Sequence, residues 1–108
     1  MSAVDTLLHA IGAGYGWTVY PHRVLGEPVL PSLFYTTRRD STQLIGGRLA
    51  TVTAEATLLA ATPEGVDAMQ DDFAAAVARN GGRVVAVHDM DNAGVAFWRR
   101  GVDAEFPG

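Results

Sequence analysis

Cysteine is absent from the chain, and with it every disulfide, thiolate nucleophile and cysteine-based zinc or iron–sulfur site, a usage that fits a reducing cytosol. Also missing is any apolar run approaching the roughly 20 residues of a membrane-spanning helix. The start, Met1-Ser2-Ala3-Val4-Asp5, lacks the basic segment of a secretory leader. The expectation is a cytoplasmic chain with no membrane contact. Positive charge is short as well: Lys and Arg total 8 against 12 Asp and Glu, a net charge of −4. The cationic excess that neutralises phosphates and releases counterions is therefore lacking, and specific nucleic-acid binding is not expected. Charged residues make up only 19% of the chain, against about 25% in an average soluble domain. Hydrophobic residues make up 48%, enough for a core with apolar surface left for a partner. The length of 108 residues fits one domain.

What is present reads as an α+β domain. Val4, Leu7, Leu8 and Ile11 share one helical face, with Ser2 placed to cap and Asp5 three residues on. This predicts a short helix over 2–11, ended by the glycines of Gly12-Ala13-Gly14-Tyr15-Gly16. Trp17-Thr18-Val19-Tyr20 is aromatic and β-branched and reads as a strand. Prolines at 21, 28 and 31 exclude an interior helix and mark an extended connection. Residues 33–39 and 49–59 then read as antiparallel strands, the second alternating Val52, Ala54, Ala56 and Leu58 with Thr51, Thr53, Glu55 and Thr57. Residues 40–47 between them are too long for a tight turn and form either a flexible tip or an extended hairpin arm.

Thr62 as N-cap, Pro63 at the first helical position and Glu64 in the first turn open an amphipathic helix. Its apolar face is Val66, Met69, Phe73, Ala76 and Val77, and Arg79-Asn80-Gly81-Gly82 closes it. Residues 83–90 predict a strand, Asp91-Asn92-Ala93-Gly94 a turn, and 95–100 its hairpin partner. The expected order is α-β-β-β-α-β-β, with a small, mainly antiparallel sheet.

Catalytic patterns are thin. His9, His22 and His88 have no diagnostic spacing with the acids Asp71-Asp72, Asp89 and Asp91, and a metal at His88, Asp89 and Asp91 competes with ordinary turn chemistry. The early glycines follow a helix instead of opening one, and no Gly-Lys-Ser/Thr is present, so they make no phosphate loop. No nucleophile elbow surrounds Ser2, Ser32 or Ser41. The chain is not expected to be an enzyme or to carry a cofactor or metal. The pairs Arg38-Arg39 and Arg99-Arg100 sit on strands, so each sends one cation to either face. Aromatics are plentiful at strand ends: Trp17, Tyr20, Phe34, Tyr35, Phe97, Trp98 and Phe106. Phe34, Phe97 and one tryptophan are expected in the core, and others at an interface, where aromatics and arginine concentrate. In the tail, Val102, Ala104 and Phe106 continue the alternation from Trp98 and read as a strand extension able to pair with another subunit.

The short first helix, Val19-Tyr20-Pro21 leading to Pro28-Val29-Leu30-Pro31-Ser32-Leu33-Phe34-Tyr35, an arm, a Thr/Ala-rich strand, a helix and a last hairpin resemble, over nearly the whole chain, the tail terminator proteins of long-tailed bacteriophages. These are minor tail or head–tail joining components. The resemblance implies a structural virion protein that forms a homo-oligomeric ring, hexameric by family habit. Such a ring caps the tail tube protein, ends tube growth and meets the head connector or stopper, while DNA passes through the lumen without specific binding. It also places Pro28, Pro31, Tyr35, Arg39, Asp40, Gln43 and Leu44 at subunit or tube contacts, to which the arginine pairs and the tail alternation add Arg38, Arg99, Arg100 and Phe106. Two alternatives stand beside it. One is a dimeric, barrel-type enzyme or ligand-binding domain with a pocket of Trp17, Tyr35, His88 and Trp98; the other is a different ring component of the phage neck or tail tube.

Overall fold

A computed structural model describes residues 3–21, 29–44, 47–89 and 97–107. The elements follow the expected order: α1 (Ala3–Tyr15), β1 (Thr18–Tyr20), β2 (Ser32–Leu44), β3 (Gly47–Ala60), α2 (Pro63–Arg79), β4 (Arg83–Asp89) and β5 (Trp98–Pro107). They form an α+β fold with one five-stranded sheet in the order β1-β2-β3-β5-β4. The pairs β2–β3, β3–β5 and β5–β4 are antiparallel, while β1 joins β2 in parallel at Thr18↔Ser32, Val19↔Leu33 and Tyr20↔Phe34. A parallel partner needs a crossover instead of a hairpin, and the long proline-bearing connection between β1 and β2 leaves room for one.

Strand alternation divides the sheet into two faces. Leu33 and Tyr35 of β2, Val52, Ala54, Ala56, Leu58 and Ala60 of β3, and Val102, Ala104 and Phe106 of β5 point to one side and are buried there. They meet Val66, Met69, Phe73, Ala76 and Val77 of α2, and Val4, Leu8 and Ile11 of α1, in one core cluster. The α2 stripe is the one its 3.6-residue spacing predicts. Its ends also follow from local chemistry: Thr62 Oγ1 accepts from the Gly65 amide at 2.9 Å, and Gly81 takes φ +80 just beyond the last turn.

Two expectations are corrected. The tail is no free extension, because β5 lies between β3 and β4 and is paired on both sides. Its alternation satisfies an interior strand as well as an edge strand, so the pattern alone does not choose a neighbour. The first helix runs to Tyr15, past Gly12 and Gly14. Gly16, with φ +77, turns the chain, whereas Gly12 serves a close approach: a Cβ there would run into Val19 Cγ2 and lie 3.3 Å from the Trp17 carbonyl. The tip question resolves toward an arm, since β2–β3 pairing continues to Leu44↔Gly47. The turn expected at 91–94 and residues 95–96 lie outside the described residues.

The glycines of α1 yield a paired test. Gly12→Ala overpacks the contact with β1 and lowers unfolding free energy by about 1–3 kcal/mol. Gly14→Ala, whose Cβ meets nothing within 4 Å, is neutral or stabilises by up to about 1 kcal/mol through helix propensity. Urea denaturation of the two variants measures the difference.

Candidate functional site

With both helices on one face, the opposite face carries the other half of each alternation. Its first three strands contribute Thr18 and Tyr20 (β1), Ser32, Phe34, Thr36 and Arg38 (β2), and Thr51, Thr53, Glu55, Thr57 and Leu59 (β3). The last two contribute Arg99, Gly101, Asp103 and Glu105 (β5), and Arg83, Ala86 and His88 (β4). Register puts Glu55 directly opposite Asp103, two carboxylates on adjacent strands. Such a pair repels unless cations flank it. Arg38 Nη1 lies 3.0 Å from Glu55 Oε1 on the β2 side, and His88 Nε2 lies 3.0 Å from Asp103 Oδ2 on the β4 side. A further pair, Arg83 to Glu105 at 3.2 Å, continues the ladder. Between these charges and Phe34 lies a shallow hollow of about 430 Å³, floored by Gly101 and walled by Thr57, Glu55, Asp103 and His88.

The second feature is the arm. Residues Ser32, Leu33 and Tyr35 of β2 are buried, but Thr36, Thr37, Arg38 and Arg39 are all exposed, so neither face of the strand is covered there. β5 stops pairing with β3 at Thr51↔Pro107, and β2 and β3 run on together to Leu44↔Gly47. The long axis of the molecule is accordingly 51 Å against 26 and 24 Å across.

The residues expected at contacts distribute unevenly over this frame. Asp40, Gln43 and Leu44 lie on the arm at the registers Asp40↔Thr51, Gln43↔Arg48 and Leu44↔Gly47. Arg38 and Arg39 stand at its base on opposite faces, and Arg99 and Arg100 likewise divide between the faces of β5, as strand parity predicts. Arg100 is held on the helix side, its Nη1 2.7 Å from both Asp67 Oδ1 and Gln70 Oε1 of α2. With a side chain 20% exposed, it ties β5 to α2. Pro31 accepts the Thr18 amide through its carbonyl at 3.1 Å and so anchors β1; Pro28 lies outside the described residues.

Tyr35 and Phe106 are corrected: they are 2% and 3% exposed and belong to the core beneath the helices. Both sit on the inward parity of their strands, and aromatic bulk alone does not distinguish an anchor for a partner from one for the core. The pocket imagined for a barrel-type enzyme is not formed by its four residues. Trp17 and Tyr35 lie in the helix-side core, His88 is on the opposite sheet face, and Trp98 is 42% exposed at the start of β5. Trp17 is the buried tryptophan and stacks on Tyr15 at 4.9 Å; Phe34 and Phe97 are half-buried. Among the described residues, no group of three or more His, Asp or Glu is placed to hold a metal ion. The Glu55–Asp103 juxtaposition was not legible beforehand, because parity gives the face of each residue but not its partner across a non-sequential strand pair. Among the described residues, no helix is long and apolar enough to cross a membrane. No family model, curated protein or solved structure matches the chain.

Tyr35 has a chemical signature of its burial. Its hydroxyl donates to Asp5 Oδ1 at 2.7 Å, and burial first, then the carboxylate beside it, pushes its pKa up to about 12. The unfolded chain releases that proton near pH 10. The stability Tyr35 contributes is therefore complete below about pH 10 and is lost as pH rises through about 12. The chain has no lysine, so no ammonium side chain overlaps this window. Tyr35→Phe is expected to flatten the alkaline fall in stability, measured by denaturant unfolding at pH 8, 10 and 11.5.

Proposed function

We propose that the chain is a structural subunit of the tail terminator kind. Copies close head to tail into a ring, hexameric by resemblance, that sits on the end of the tail tube, stops its growth and faces the head connector or stopper. It is a virion component rather than an enzyme. The observation that carries this reading is the arm: two strands extending past the end of β5, with exposed side chains on both faces at the base. A two-stranded ribbon is marginal on its own in water and gains most when another surface covers it. The net charge of −4 is in keeping with a lumen through which DNA slides without adhering. A different neck or tube ring component would draw on the same arm, and the order of elements quoted above favours the terminator.

Light scattering across a concentration series, followed by negative-stain imaging, is expected to show closed rings of one size. A mass fixed at one or two chains throughout contradicts the reading. Removing residues 42–49 and joining Ser41 to Ala50 through Asn-Gly shortens the arm beyond the reach of β5. That variant is expected to lose the ring while keeping the melting temperature of the monomer. Arg38→Glu with Arg39→Glu is likewise expected to weaken assembly with little change in melting. The Arg38–Glu55 pair is exposed on both sides, and such pairs contribute about 0–1 kcal/mol.

A further inference from the structure

Among the described residues, no strand lies beyond much of either end of the sheet, and the two edges fit each other. β1 lines β2 only from Ser32 to Phe34, so among the described residues no strand lies beyond β2 from Tyr35 to Leu44. At the other end β4 is the last strand, and its Val85 and Val87 are 46% and 45% exposed. Native sheets blunt long edges because each offers unpaired amides and carbonyls to another chain. Following the pairings across the sheet, β2 and β5 run one way while β3 and β4 run the other. Asp89 lies level with Arg100, Leu58 and Leu33 in its own sheet. A copy related by rotation about an axis inclined to the strands, as in barrels whose strands tilt by about 35–45°, therefore presents its β2 antiparallel to this copy's β4, the more stable sense of pairing, with a stagger toward the arm.

We infer that copies join by antiparallel pairing of the outer edge of β4 with the outer edge of β2 in the next copy, with Arg39 opposite Asp89. This deepens the ring reading and rests on it. The register follows from charge and parity. Arg39 and Asp89 both lie on the helix side of their strands and both are exposed, and among the described residues Asp89 has a long contact, 3.3 Å to Arg100 Nε. Opposite charges across a strand pair are favourable. The rival arrangement is β4 against β4 of a second copy about a two-fold through Ala86, which would also set Arg83 near Asp89. It brings the irregularity between Val84 and Ala86 on both strands to the same point, leaves the edge of β2 bare, and closes at two copies. Pairing β4 with β2 sets that irregularity against a regular strand and covers β2 from Arg39 to Leu44.

The absence of native cysteine makes the test clean. With Arg39 opposite Asp89, position 41 of one copy faces position 87 of the next. Opposed Cα atoms in an antiparallel pair lie about 4.5–5.5 Å apart, inside the span of a disulfide. Ser41→Cys and Val87→Cys proteins, mixed and oxidised, are expected to yield a cross-linked pair that neither yields alone. The double variant is expected to yield a ladder up to the ring. Rings that form without the 41–87 cross-link overturn the edge pairing and leave the ring reading standing. A dimer cross-linked by Ala86→Cys alone supports the two-fold and overturns both. If a cysteine variant fails to fold, charge exchange decides. Arg39→Asp and Asp89→Arg should each reduce assembly at least tenfold in the concentration required, and the double variant should restore it. Failure of the double variant to recover contradicts the pairing.

Discussion

The fold turns on β3, which pairs with a long strand on each side and lies against α2. Its inward row is Val52, Ala54, Ala56, Leu58 and Ala60, mostly methyl-sized side chains that let α2 lie close to the sheet. The larger groups that fill the space, Tyr35, Phe73 and Phe106, come from the neighbours. Packing near crystal density requires this alternation of small and large. An enlarged residue at Ala54 or Ala56 would push α2 away from β5 and strain the Arg100 contacts that fasten the two together. The outward row of the same strand, Thr51, Thr53, Glu55, Thr57 and Leu59, faces away from both described helices, with Thr53, Thr57 and Leu59 nonetheless buried. It therefore serves as the floor of the open face, and one strand sets both the core and the surface.

Local chemistry made much of this readable before the structure. α2 announced its first residue through Thr62 and Pro63, its inner stripe through the 3.6-residue period, and its end through Asn80-Gly81, because those signals act within one or two turns. The division of Arg38 from Arg39 followed from strand parity for the same reason. What was not legible depends on distant partners. Gly12 looks like a helix terminator until Val19 is seen to occupy the space of its missing side chain. Val102, Ala104 and Phe106 alternate identically whether β5 lies at an edge or inside, and only pairing with β3 and β4 decides. The candidate site divides likewise. The unusual length of polar chain between two strands allowed either a flexible tip or an arm, and only the pairing through Leu44↔Gly47 decided for the arm. The acidic pair Glu55 and Asp103, and the burial of Tyr35 beneath α1, required the register.

The two ends of the sheet are unequal, and the functional reading grows from that inequality. At one end β1 covers three residues of a 13-residue strand, and at the other a seven-residue strand shows two valines to solvent. A monomer with such edges is exposed to indiscriminate strand addition, unless an ordered partner takes the edges first. In the ring proposed above, each junction would cover the β4 edge and β2 from Arg39 to Leu44. In that arrangement the β2 strand of the arm is itself the contact with the next copy. Arg38 and Arg39 at its base carry cationic charge on both faces against the acidic balance of the whole chain.

The central claim, that sheet edges and arm are the contacts between copies, is tested most directly by amide hydrogen exchange read by mass spectrometry on dilute and assembled protein. The account predicts that assembly slows exchange in peptides covering 39–44 and 83–89, while those covering α2, already protected by the core, remain unchanged. Assembled particles whose β2 and β4 edge amides still exchange as fast as in the dilute chain, with protection gained over the helices instead, would contradict it.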